Sequence, residues 1–294
     1  MNKRVSAVVL LTLVMVIWGS SYAVTKASLV KVSPMLLAFL RNFIASVLLL
    51  AFAQMRGGTT HLPRPFSWAT IALMGLTGVC LYYIGFNMSL FYTSASQGAL
   101  IETFAPIATT LLAAVFLKES LSAKLLLGVG ISTAGVILII SVAAPEANAP
   151  NPLFGNALML CAIIAWATYT ILAKRLAECD QIVVTAYSTA FGTLLLAPFA
   201  LYELSDQSFL TISASGWLSI LYLGMAASAV AYWLYNRSLK QLAASQTAQF
   251  LNLLPVIGVA GGVLLLDERV LLQQIFGGAL VLSGVWLSLR KRRT

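Results

Sequence analysis

Histidine, cysteine and charge are what this 294-residue chain has least of: one His, three Cys and 9% charged residues. A lone His61, in a charged loop, leaves no material for a His-based triad, a zinc site or a proton-shuttling cluster. Three cysteines cannot build a disulfide framework. Cys80 and Cys161 fall mid-span as packing residues, and Cys179 falls in a loop. No glycine-rich phosphate loop occurs, which excludes direct drive by ATP. An ordinary soluble domain carries about 25% charged residues, so this chain could not cover a globule with polar surface.

What is present is apolar: 60% of residues are hydrophobic, with a mean hydropathy of +0.92. The apolar residues are grouped in runs long enough to cross a hydrocarbon core of about 30 Å. Ten spans follow, at Val5–Val24, Pro34–Ala53, Trp68–Leu90, Gly98–Leu117, Leu121–Val142, Leu153–Ala173, Ile182–Tyr202, Trp217–Tyr235, Ala243–Leu266 and Leu271–Leu289. Lys and Arg outnumber Asp and Glu by 18 to 9, but they are scattered over short loops. That pattern orients a membrane protein and gives no reason to expect nucleic acid. With the N-terminus inside, 14 of the 18 basic residues lie in cytoplasmic segments, which predicts that both termini are cytoplasmic. Asn2-Lys3-Arg4 and the run after it imitate a cleavable signal. Retention is expected, because this first span takes part in a repeat.

Shifted by 149 residues, the chain aligns with itself: Trp68 on Trp217, Gly75 on Gly224, Tyr83 on Tyr232, Asn87 on Asn236, Pro106 on Pro255, Glu119 on Glu268. The triplet Ala95-Ser96-Gln97 meets Ala244-Ser245-Gln246, and Gly128 and Gly135 meet Gly277 and Gly284. At a shift of 148, Trp18 and Lys26 meet Trp166 and Lys174. Chance would match Leu with Leu, but not this series in order. Five spans per copy is an odd number, so the second copy enters the membrane upside down. The fold expected is an all-α polytopic membrane protein, ten helices as two inverted-topology repeats. Residues 1–144 form the first repeat, 145–152 an external linker and 153–294 the second. That is a transporter architecture.

Trp18-Gly19-Ser20-Ser21 with Lys26 resembles the first-helix signature of EamA-type carriers in the drug/metabolite transporter superfamily. Arg41-Asn42-Phe43 is similar to that domain's second-helix Arg-Phe pair, with Asn interposed. Pro106 with Leu117-Lys118-Glu119 and Gly128…Gly135, and Pro255 with Leu266-Asp267-Glu268 and Gly277…Gly284, resemble its fourth-to-fifth helix segment. The resemblance covers nearly the whole chain as two tandem domains, and it departs where Thr189-Ala190-Phe191 stands opposite Arg41. It implies a carrier of small organic solutes, often outward.

Candidate site residues follow from polar faces that lipid would penalise. Trp18, Ser21, Tyr22 and Thr25 share one face of the first span; Trp166, Tyr169 and Thr170 share the matching face of the sixth. Tyr83, Phe86 and Asn87, then Tyr232, Tyr235 and Asn236, repeat the pattern in the third and eighth. The substrate-binding set is therefore Trp18, Ser21, Tyr22, Tyr83, Asn87, Glu102, Trp166, Tyr169, Tyr232 and Asn236. For the rings, interfacial anchoring competes with a cavity role.

Glu102 is the one acid well inside a span, where an ionised carboxylate costs several kcal/mol unless neutral or paired. It is the coupling candidate: a proton carrier, a partner for a substrate amine, or a buried hydrogen-bonded group. Pro106 and Pro255 are expected to kink their helices and free the carbonyls of Glu102 and Leu251. Arg41 either snorkels outward or pairs with a carboxylate, Lys26 anchors the outer end, and Glu119 caps a turn. Gly128, Ser132 and Gly135, with Gly277, Gly278 and Gly284, supply small faces for close packing.

The function expected is a secondary transporter, an exporter of amino acids or aromatic or amphipathic solutes. It works by alternating access in the bacterial inner membrane, with the lipid bilayer and protons as further partners and no cofactor or metal. A channel-like facilitator and an intramembrane enzyme are the alternatives. A channel should show rings of like polar groups. An enzyme needs a nucleophile–base pair or metal ligands. Neither pattern is evident.

Overall fold

The computed structural model describes residues 3–57, 67–92, 101–102, 104–140, 151–204, 212–257 and 272–289, and these are helical or in short turns, with no strand among them. His61, the triplet at 95–97, most of the 145–152 linker, Glu268, Arg269 and the basic residues 290–293 lie outside the described residues. The helices are α1 Lys3–Ser28, α2 Pro34–Met55, α3 Trp68–Tyr92, α4 Ala105–Phe116 and α5 Ala123–Ile140. They continue as α6 Pro152–Arg175, α7 Gln181–Leu204, α8 Ala214–Leu239, α9 Ala244–Ala248 and α10 Leu272–Leu289. Six of them, α1, α2, α3, α6, α7 and α8, are long and apolar enough to cross a membrane. This is a multi-pass membrane protein.

Local chemistry explains where the helices start. Pro34 and Pro152 open α2 and α6, positions where a missing N–H has no helical partner to lose. The side chains of Ser67, Asn151 and Ser213 accept from Thr70, Phe154 and Gly216 N–H groups. Two prolines behave differently from expectation. Pro106 sits in the first turn of α4, after a turn in which Phe104 N–H donates to Ile101 O at 3.0 Å; it begins a helix and does not kink one. Before Pro255 the chain tightens into a 3₁₀ stretch, Gln249–Leu253, and Leu251 O accepts from Leu254 N–H. The carbonyl expected to be freed is thus satisfied one residue early.

The exterior is that of a protein dissolved in lipid. Large apolar side chains such as Val115, Leu153, Phe276 and Trp286 are exposed, whereas Arg41, Asn87, Asn236 and many Ser and Thr are buried. In lipid the hydrophobic effect does not pull helices together, so close packing and interhelical hydrogen bonds must. Small residues supply the approach. A Cβ on Gly128 would lie 2.6 Å from Gly284 O, and one on Gly135 2.6 Å from Gly277 O, so α5 and α10 cross almost backbone to backbone. Gly278 stands off from this contact, its nearest neighbour being Val256 at 4.0 Å. Gly75 of α3 rests on α7 backbone and Gly224 of α8 on Arg41 O of α2, so glycines 149 apart make corresponding contacts.

Polar ties sort the segments to two ends of the bundle. Glu119, Lys174, Arg175 and Lys240 join the α4–α5 turn, the end of α6 and the α8–α9 turn. Gln246 Nε2 donates to Ser288 O, and Arg4 to Leu289 O, which adds both chain ends to this group. At the other end Lys26 Nζ donates to Leu90 O, Asn151 N–H to Tyr92 O, and the Glu203 carboxylate accepts from Met35 and Leu36 N–H. Among the cysteines, Cys80 and Cys179 are buried; Cys161 is exposed on the apolar exterior, not packed inside.

Candidate substrate cleft

Two helices lose α-helical pitch at corresponding places. α3 is a π-helix over Leu76–Leu81 and α8 over Leu223–Val230. A slip to i→i+5 bonding leaves carbonyls for outside donors, and here two rings use them. Trp18 Nε1–H donates to Ala227 O at 2.9 Å, and Tyr232 O–H donates to Gly78 O at 3.0 Å. Ala227 and Gly78 are 149 residues apart. Gly78 also makes room for the Tyr169 ring, since a Cβ there would lie 2.2 Å from it.

These contacts anchor an aromatic frame. Trp18 and Trp166 meet edge to face with centroids 5.2 Å apart, Trp166 meets Tyr232 likewise at 5.4 Å, and Tyr83 stacks with Tyr232 at 6.5 Å. Tyr82 lies against both Trp166 and Phe86, and Phe86 meets Tyr22 edge to face at 5.1 Å. The rings border a partly open cleft. Flat rings give such a wall large contact area with few side-chain torsions to fix.

Two ionisable groups line this cleft. Arg41 is 3% exposed, its Nε–H donates to Ser228 Oγ at 2.9 Å, and its guanidinium lies 4.7 Å over the Tyr83 ring. It does not snorkel, and among the described residues it pairs with no carboxylate, unlike either expectation for it. Glu102 accepts a long contact of 3.5 Å from Tyr82 O–H. Leu251, the residue 149 positions on from Glu102, lines the same cleft.

Seven of the residues read from the sequence are on the wall: Trp18, Ser21, Tyr22, Tyr83, Glu102, Trp166 and Tyr232. Three are behind it. Asn87 Nδ2 donates to Pro34 O, tying α3 to α2. Asn236 Nδ2 donates to Tyr169 Oη at 2.6 Å and to Thr185 Oγ1, and Tyr169 stacks on the back of Trp166. These three support the wall without reaching it. The wall also holds Arg41, Tyr82, Phe86, Leu251 and Leu254. The depth of Arg41 in its span and the pairing of Leu251 with Glu102 were signals for two of them; nothing in the sequence marked Leu254.

The EamA-like transporter family model matches residues 5–141 and again 153–290. The chain belongs to that family. An "Uncharacterized transporter" of Archaeoglobus fulgidus is 31% identical, covering 96% of this chain and 97% of its own. A "Probable amino-acid metabolite efflux pump" of Salmonella typhimurium is 28% identical, over 96% of this chain and 95% of its own. One solved crystal structure superposes with a TM-score of 0.81 at 19% identity, over 97% of this chain and 96% of the other, a likeness of fold. The family and these relatives are transporters and pumps, not enzymes. The EamA-like chain is a transporter.

Proposed function

We propose that the chain is a secondary carrier that exports small amphipathic metabolites, amino acids and aromatic solutes foremost, across the cytoplasmic membrane by alternating access. The observation that carries this reading is the cleft framed by Trp18 and Trp166, Tyr83 and Tyr232, with Glu102 on its wall. Corresponding positions of the sequence repeat thus meet around one space. In this reading ten spans form two inverted five-helix repeats, 1–144 and 153–294, and both termini are cytoplasmic. Outward transport of amino-acid metabolites is what the Salmonella relative's name describes. Glu102 serves as the coupling residue, taking up a proton or a substrate amine.

Reconstitution into proteoliposomes tests the reading. A carrier gives saturable flux of a labelled solute and counterflow when unlabelled solute is loaded on the far side. A channel-like facilitator gives flux without counterflow, and that outcome would overturn alternating access. Labelled amino acids and small aromatic metabolites are the first solutes to screen.

A further inference from the structure

We infer that Arg41 is an anion-receiving residue of the cleft, and that the transported solute presents a carboxylate to it. This deepens the carrier reading and rests on it. The guanidinium carries five N–H donors and stays charged at any pH the protein meets. Ser228 Oγ takes Nε–H at 2.9 Å, and Thr25 Oγ1 lies at a long 3.5 Å from Nη1. Both partners are neutral. Among the described residues Arg41 forms no ion pair, although Glu102 borders the same cleft. A buried charge without a counter-charge is strongly disfavoured. Such a group persists inside a membrane protein where an anion meets it during the working cycle.

A second observation points to the same ligand chemistry. Tyr22 Oη is buried on the cleft wall without a hydrogen-bond partner among the described residues. Its O–H can donate to an anion beside Arg41, and the two oxygens of a carboxylate match a guanidinium fork.

The third observation is asymmetry. Trp18 and Tyr83 of the frame recur as Trp166 and Tyr232, but Thr189 stands opposite Arg41 and Val79 opposite Ser228. A residue used once suits a ligand whose ends differ, with its apolar part against the rings and its acid end at Arg41.

Thermal unfolding of the purified full chain in detergent tests this with matched acid and amide probes. The pairs are L-phenylalanine and L-phenylalaninamide, L-leucine and L-leucinamide, and 3-phenylpropionate and 3-phenylpropionamide, with the remaining common amino acids as further acids. Acids are expected to raise the Tm of the parent and amides to leave it unmoved, with that discrimination lost in Arg41→Gln. Arg41→Lys keeps the charge and the stem but not the fork, so it reads out even if the Gln variant fails to fold. It should weaken acid binding by about 10-fold or more. The inference is overturned if amides stabilise as well as acids, if no acid stabilises the parent, or if the Arg41 variants keep the discrimination. An acid that stabilises through Arg41 but shows no counterflow in proteoliposomes leaves this site standing and removes the carrier reading instead.

Discussion

Glu119 Oε2 and Ser245 Oγ lie 2.6 Å apart, and the same carboxylate also accepts the backbone N–H groups of Ala244 and Ser245. One acidic side chain from the α4–α5 turn thereby caps the start of α9, where unpaired N–H groups and the helix dipole both favour a negative charge. Lys118, at φ 53°, is in the left-handed region and turns the chain so that Glu119 can reach. Glu119→Ala should lower unfolding stability by about 1–3 kcal/mol by leaving those donors unsatisfied. Glu119→Gln should cost less, since it keeps an acceptor. Thermal unfolding in detergent checks both.

The α5–α10 crossing gives a contrast between glycines in one helix pair. A Cβ on Gly284 would lie 2.5 Å from Ser132 N and 2.6 Å from Gly128 O, whereas one on Gly130 would meet nothing within 4 Å. Gly284→Ala must push two backbones apart, at a cost of about 1–3 kcal/mol or more. Gly130→Ala should be neutral, or stabilising by about 0.5–1 kcal/mol, because alanine is the better helix former. Comparable losses in the two variants would mean that α5 and α10 do not cross as described.

The two tryptophans of the frame should also part ways. Trp18→Phe leaves Ala227 O without its donor, whereas after Trp166→Phe the neighbouring Tyr235 hydroxyl keeps its bond to Thr170. The first should cost about 1–3 kcal/mol of stability, and the second little. Trp18→Ala and Trp166→Ala should both weaken transport while membrane insertion stays normal. Variants that insert and transport at the parent's rate and apparent affinity would remove these rings from the substrate wall.

Much of this was legible because lipid reverses the usual rule: polar residues in an apolar run have to turn inward, and the repeat says which of them correspond. Trp18, Trp166, Tyr83 and Tyr232 were found this way. Asn87 lies behind the wall: periodicity assigns a face but cannot see a competing acceptor, here Pro34 O. The π segments left no mark in the residue types of Leu76–Leu81 or Leu223–Val230, since the slip is fixed by what packs against them. Tyr82 joined the wall because the face of α3 on the cleft is Tyr82, Tyr83 and Phe86, centred one step earlier than the sequence pattern placed it. Arg41 could be located in depth from the sequence. Its partners could not, because Ser228 is 187 residues away.

Topology can be read directly. Reporter fusions after Ala147 and after Ser205 should report as external, and one after Cys179 as internal. The charge bias favours this pattern. So does the joining of Glu119, Lys174, Arg175 and Ser245 at one end of the bundle. A reversed pattern would overturn the cytoplasmic placement of the termini, and one in which the three agree would overturn the span count on which the inverted arrangement rests.

Glu102 is the residue at which coupling should be sought. It shares the cleft with Arg41 but forms no ion pair with it, and its contact with Tyr82 O–H is a long one at 3.5 Å. A carboxyl group so loosely held can exchange a proton or receive a substrate amine, and Leu251 at the corresponding position can do neither. Glu102→Gln keeps the shape and hydrogen-bonding capacity of the protonated acid but cannot titrate. If Glu102 carries the proton, the variant should lose net transport driven by a pH gradient and keep exchange of solute across the membrane. If it binds an amine, affinity should fall by about 10-fold or more for amines and much less for neutral analogues, in line with the loss of a charge-assisted hydrogen bond. The two outcomes separate in one experiment: net uptake and exchange measured side by side in proteoliposomes across a pH series. An unchanged rate, affinity and pH profile would leave Glu102 as a packing residue.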